Sequence, residues 1–272
     1  MAQPESTDGF ANLAFGITPI RDPQTPPDLF PLADLVEVDG VPSPRVLSTG
    51  PGIFSNTDFK SLDDARRTLA RYRNEYGTRY GNRQQRQWLV QAARELGLMP
   101  TNEGSADGKE DLTHIMDGFS GLEHSIPESL IHDDVVQLMA RSGITNTPTL
   151  VVSFGGALPI YRLLAEERPH LDERINRWFP DGDLYQKSST RLLWFPRVDY
   201  NERETGAGAA AVLRAGGHIG LGGHGELQGL SNHWEMALMA GAGMRPQEIL
   251  RVATIEGARA LGLDADLGSI EA

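Results

Sequence analysis

Short apolar runs alternate along the chain with stretches whose apolar residues recur at helical spacing. The runs at Ile17–Ile20, Arg45–Ser48, Leu98–Thr101, Gly121–His124, Pro148–Val152 and His218–Gly222 are the strand candidates. Between them, helical patterns span Asp28–Val38, Leu62–Tyr76, Gln84–Leu96, Asp133–Arg141, Glu204–Ala215 and His233–Ala242. The strand runs are mostly continuous rather than alternating, as strands buried on both faces of a parallel sheet are. Strand following helix following strand predicts an α/β fold with right-handed crossovers. Local chemistry supports several boundaries. Ser61 with Asp64 forms an N-cap, Gly97 and Gly143 close helices, and Pro246 opens one. Thr254 is placed to cap a further short helix running to Leu261. The segment Ser153–Asn201, with Trp178 and Trp194, breaks the rhythm and reads as a substrate-shaping excursion or an ordinary surface insertion.

Composition narrows the chemistry. A formal charge of −12 disfavours nucleic acid, which calls for a basic face. Cysteine is absent, so disulfides, thiolate metal sites and cysteine nucleophiles are all excluded. A metal here would have to be held by His, Asp, Glu or a modified lysine, and only Lys60, Lys109 and Lys187 are present. No apolar run is long enough for a membrane span, and the first residues lack the basic and apolar regions of an export signal.

The strongest local signal is Ala215-Gly-Gly-His-Ile-Gly-Leu-Gly-Gly-His-Gly225, followed by His233-Trp-Glu235. An apolar strand ends in small residues and presents His224 just beyond its C-terminal end. Active sites of (β/α) barrels lie at that end, although a glycine-rich turn with an incidental histidine reads the same way. His114 and His132 read as surface or cap residues, Arg83 and Arg86 as a solvated face, and Trp88 as core. No phosphate-loop pattern is present.

Taken together, Gly220–Gly225, His233–Glu235, Gly243–Thr254 and Ala258–Glu271 resemble the end of an amidohydrolase superfamily barrel. Ala11–Gln24 resembles that family's second strand with its preceding helix, Pro44–Gly52 the third, and Gly121–His124 the sixth. The match is closest to the branch often fused to Tol-type β-propellers. The resemblance implies a TIM-like (β/α) barrel over residues 1–272 with a long loop at about 153–201. It also implies an incomplete one, starting after the family's first strand and stopping before its flanking β-sandwich. The two unpaired edges are then expected to rearrange, to pair with another copy as a homo-oligomer, or to belong to a longer protein.

The family's usual site combines a His-x-His pair, a carboxylated lysine, two further histidines and an aspartate around divalent ions. His124 matches the sixth-strand histidine, and His224 stands at the eighth-strand aspartate position. No His-x-His occurs, Tyr76–Gly81 at the fourth strand has no lysine, and Glu103 stands where the fifth-strand histidine is expected. The resemblance therefore implies His124, His224 and Glu103 as metal ligands, with zinc as the ion, and His224 as the catalytic base. His233, Glu123 and Asp22 are the candidate contacts for a small-molecule substrate; capping, packing and turn roles remain open for His233 and Asp22, and a solvent-facing loop position for Glu103. The implied activity is hydrolysis of carbon–nitrogen bonds, in amides or dipeptides, by metal-activated water. The alternative is an impaired barrel scaffold that binds a small molecule or a partner. Absence of an export signal implies the cytoplasm; the resembling branch is often exported, so a chain truncated at its start would suit the periplasm.

Overall fold

In the computed structural model, the residues described are 4–22, 29–38, 40–48, 52–53, 59–71, 83–128, 130–179, 182–190 and 195–271. Two parallel sheets organise them. The first pairs β1 (Pro19–Asp22) with β2 (Arg45–Ser48). The second runs in the order β3 (Thr101–Glu103), β4 (Gly121–Glu123), β5 (Thr145–Thr147), β6 (His218–Ile219). Among the described residues the sheets do not close on one another. The expected fourth-strand stretch, Tyr76–Gly81, lies outside the described residues.

The helices are α1 (Pro4–Ala14), α2 (Leu29–Glu37), α3 (Leu62–Arg71), α4 (Arg83–Glu95), α5 (Gly108–Asp117) and α6 (Asp133–Ser142). They continue with α7 (Pro159–Glu167), α8 (Glu173–Asn176), α9 (Asp183–Thr190), α10 (Glu202–Arg214), α11 (Leu230–Gly241), α12 (Pro246–Arg251) and α13 (Gly257–Ala260). Outside the sheets, α3 packs on α4, α4 on α5, α5 on α6, α6 on α10, α10 on α11 and α11 on α12. This serial arrangement follows from strand–helix alternation with short links. The long 153–201 segment is not a bare loop: it carries α7, α8 and α9.

Register decides which side chains meet. Asn102, Leu122, Asn146 and Ile219 share one row, and Leu122 and Ile219 are fully buried. The neighbouring row, Glu103, Glu123 and Thr147, points to the opposite face, because successive strand residues alternate. The strands are so short that each contributes one or two residues to that face.

The expected boundaries hold at Ser61, whose hydroxyl accepts from the Asp64 amide at 3.1 Å, and at Gly97 and Gly143, both left-handed with φ of 70° and 76°. Four expectations are corrected. The strand expected at Pro148–Val152 is Thr145–Thr147, followed by a 3₁₀ turn at Leu150–Val152. Pro148 has no N–H for a ladder, and Thr149 is left-handed at φ 51°, so extension ends there. Thr254 caps nothing: it lies in a π-helical turn (Val252–Glu256) that joins α12 to α13, and its hydroxyl donates to Leu250 O at 2.7 Å. Arg86 is not on a solvated face but buried, donating to the buried carboxylate of Asp117 at 3.0 Å. His114 is not at the surface but fully buried in α5 with an edge contact to Phe119. His132 is the N-cap residue of α6. No helix among the described residues is long and apolar enough to cross a membrane.

Candidate active site

A cavity of about 1000 Å³ opens at the C-terminal ends of the second sheet and extends between β6 and β1. Thr101, Glu103, Glu123, His124, Thr147 and Thr149 line it on one side, and the Gly220–Gly225 run with Gln228 and Asn232 on another. Ile17–Arg21 close a third.

His124 follows β4 immediately and His224 lies on the glycine-rich run after β6. Both are left-handed, at φ 66° and 59°, a conformation uncommon for residues with a Cβ and found at functional sites. Leaving the strand in this way turns each imidazole across the sheet end, and the two ring centroids come to 5.3 Å. The His124 ring is also stacked on Phe154 at 4.3 Å and 18°. Its Nε2 lies 3.5 Å from Glu103 Oε1, while its Nδ1 is buried without a hydrogen-bond partner. His224 Nδ1 lies 3.6 Å from Glu226 Oε1. The side chain of His224 is 38 % exposed against 7 % for His124, so His224 is the one that can exchange protons with the cavity. Burial, and then the facing His124, push the His224 pKa below the ordinary histidine value, with Glu226 and Glu103 opposing.

Below the histidines, Glu123 accepts from the Arg21 guanidinium and from the Thr147 hydroxyl. This bridge ties the first sheet to the second, through side chains alone. Nothing in the linear pattern marked Arg21, although it sits one residue from the candidate Asp22. The Asp22 side chain lies outside the described residues. His233 does not line the cavity. Its Nε2–H donates to Phe15 O at 2.8 Å and its ring leans on Phe15, so it fastens α11 to the end of α1. Of the roles open for His233, the structure shows a packing contact; Asn232 beside it faces the cavity.

The model of the amidohydrolase family matches residues 83–272, well over half of the chain. The chain belongs to the amidohydrolase family. Its fold is shared with solved amidohydrolase-type enzymes at low sequence identity. A Xaa-Pro dipeptidase with bound methionine superposes with a TM-score of 0.68 at 17% identity, over 98% of this chain and 70% of that one. Bottromycin amidohydrolase gives 0.68 at 17% identity, over 96% and 66%. An uncharacterized metal-dependent hydrolase from Pyrococcus furiosus gives 0.55 at 13% identity, over 98% and 56%. A comparison with curated protein sequences found no match.

As an amidohydrolase-type hydrolase, the chain is expected to use a divalent metal, and its residues can be tested for fit. Two imidazoles on one tetrahedral ion have ring centroids about 5 Å apart, given metal–nitrogen bonds near 2 Å. The His124–His224 spacing of 5.3 Å agrees, and the partnerless Nδ1 of His124 is a donor atom with no other duty in the fold. The fit stops at two, because no group of three His, Asp or Glu side chains among the described residues is arranged to hold an ion. Glu103 approaches His124 but does not complete such a group.

Proposed function

We propose that this amidohydrolase cleaves a carbon–nitrogen bond in a small amide or dipeptide, using water activated by a divalent ion that His124 and His224 hold with Glu103. The observation that carries the reading is the facing pair of imidazoles at the C-terminal sheet end, 5.3 Å apart. Zinc is the preferred ion, since imidazole and carboxylate donors without thiolate suit it. When bound, such an ion lowers the pKa of a water toward neutrality and polarises the scissile carbonyl. His224 is neutral near pH 7, as its lowered pKa favours, so one ring nitrogen has the lone pair that holding the ion would require. Glu103, whose Oε1 lies 3.5 Å from His124 Nε2, would be the third ligand. Glu123, its charge matched by Arg21, lines the cavity as a substrate contact, and Asp22 remains a candidate contact. The structural likeness to a Xaa-Pro dipeptidase and to bottromycin amidohydrolase supports an amide-type substrate of small size.

Elemental analysis of purified protein, with a panel of Xaa-Pro and other dipeptides, tests this. About one equivalent of zinc, lost from His124→Ala and His224→Ala, is the expected result. Metal-free protein of unchanged stability would sink the proposal and favour a second reading. In that reading the barrel is a scaffold that binds small molecules without turning them over, and it is favoured by the lack of a three-ligand cluster among the described residues.

A further inference from the structure

His124 and His224 come from different strands, yet both rest on one short segment, the turn that follows β5. At one end of it Phe154 stacks on the His124 ring at 4.3 Å. At the other end the left-handed Thr149 presses on the glycine run, where a Cβ on Gly222 would come within 2.4 Å of Thr149 Oγ1. His224 is two residues further on.

Between these ends, the Val151 amide donates to Glu235 Oε2 at 3.0 Å, and the Leu150 amide also bonds the carboxyl. Both amides begin the 3₁₀ turn and would otherwise lack acceptors in a fully buried place. Glu235 reaches them from α11 and is itself fully buried, with Oε1 unpartnered. No basic side chain among the described residues offsets it. A carboxyl so placed costs stability that a leucine of similar volume would not. A fold that needed only packing at this position would not require an acceptor there.

We infer that Glu235 is a positioning residue: its carboxyl clamps the Leu150–Val152 turn, and the clamped turn holds Phe154 on His124 and Thr149 on Gly222, fixing both site imidazoles. The assignment concerns how the rings are held and stands whether or not they carry an ion or catalyse hydrolysis.

Ring carbon–proton signals of His124 and His224 in nuclear magnetic resonance spectra test it, in metal-free full-length protein. Glu235→Leu removes the acceptor. It is expected to abolish the upfield displacement that stacked Phe154 gives His124, and to move the His224 signal as well. Glu235→Gln keeps an amide oxygen facing Val151 and is expected to leave both signals in place. Met239→Ala, a fully buried change in the same helix, is the control: it lowers stability without moving either signal. Unmoved histidine signals in Glu235→Leu, or equal movement in Glu235→Gln, overturn the assignment. Should Glu235→Leu not fold, hydrogen exchange in the unsubstituted protein decides. The Val151 amide is expected to exchange slower than in unstructured chain by about 100-fold or more. Exchange at the unstructured rate overturns the clamp.

Discussion

The imidazoles of His124 and His224 meet with centroids 5.3 Å apart and planes tilted by 58°, both residues being left-handed, His124 immediately after β4 and His224 on the glycine run five residues past β6. The pairing joins positions one hundred residues apart in the chain and gives the cavity its chemical centre. Its consequences can be measured.

Loss of either imidazole removes a donor rather than an outer support. Replacing outer partners of metal ligands costs about 10–100-fold in affinity or activity, and loss of a ligand is expected to exceed that. His124→Ala and His224→Ala should each lower bound metal and hydrolysis by more than about 100-fold, read by elemental analysis and by dipeptide turnover. Retention of both in either variant contradicts the proposed role.

The pH profile follows from the direction of the His224 shift. Its pKa is below the ordinary value, so the neutral, proton-accepting ring persists to lower pH than usual. Metal binding by His224 should therefore be level around pH 7 and weaken only as pH drops below about 6.5, where the proton competes for the ring nitrogen. The same shift means that the unfolded chain binds the proton more readily, so this group's contribution to stability is lost on acidification. Metal already lost above pH 7 would exclude His224 as a ligand.

Glu235 gives the opposite sign. Burial pushes its pKa up to about 8, with the Leu150 and Val151 amides opposing. The folded state therefore holds a proton that the unfolded chain releases, and the contribution is complete below about pH 4 and lost as pH rises through about 8. In that window stability should fall by about 1.4 kcal/mol per pH unit from this group alone. Glu235→Gln should flatten the slope in denaturant titrations at pH 5 to 9; an unchanged slope would show that Glu235 is not its source.

Gly222 and Gly206 separate site geometry from packing. A Cβ at Gly222 would strike Thr149, and one at Gly206 would meet the Ala242 Cβ at 2.6 Å, next to the α10–α11 contact. Each alanine variant should cost about 1–3 kcal/mol by overpacking. Gly222→Ala should also reduce metal content and activity, and by more than Gly206→Ala, because it displaces the run bearing His224 directly, whereas Gly206→Ala reaches the site only through Leu150, 3.1 Å from its added Cβ. Equal metal loss in both would remove the distinction.

Asp117 anchors α5 to α4. Its fully buried carboxylate accepts from Arg83 and Gln87 through Oδ1 and from Arg86 through Oδ2, at 2.9–3.0 Å. Removing it in Asp117→Ala leaves Arg86 buried without this partner and should cost about 3–5 kcal/mol in urea unfolding. The active site lies elsewhere, so metal content should hold.

Much of this was legible from residue order. Continuous apolar runs marked five of the six strands to within a few residues, although the paired residues are largely polar: Thr101–Glu103 and Thr145–Thr147 carry only Thr, Asn and Glu. His124 was legible because it ends such a run, and His224 because it stands two residues beyond one. Pro148 could have warned that the fifth run was displaced; its apolar neighbours Leu150, Val151 and Val152 hid the point, since a buried 3₁₀ turn is as apolar as a strand. Arg86 and His114 were misplaced for a related reason. A polar residue on a helix carries no sign of whether a distant carboxylate or aromatic ring will cover it.

By itself the sequence determined the α/β alternation, the ends of most elements and the two histidines, all of which depend on local dihedral preference and burial. Tertiary structure alone decided what those histidines touch. The Arg21–Glu123–Thr147 bridge, the stacking of Phe154 and the reach of Glu235 to Val151 depend on register and helix placement across 102, 24, 30 and 84 residues of chain. Such contacts arise from the packing of whole elements, and no local propensity encodes them.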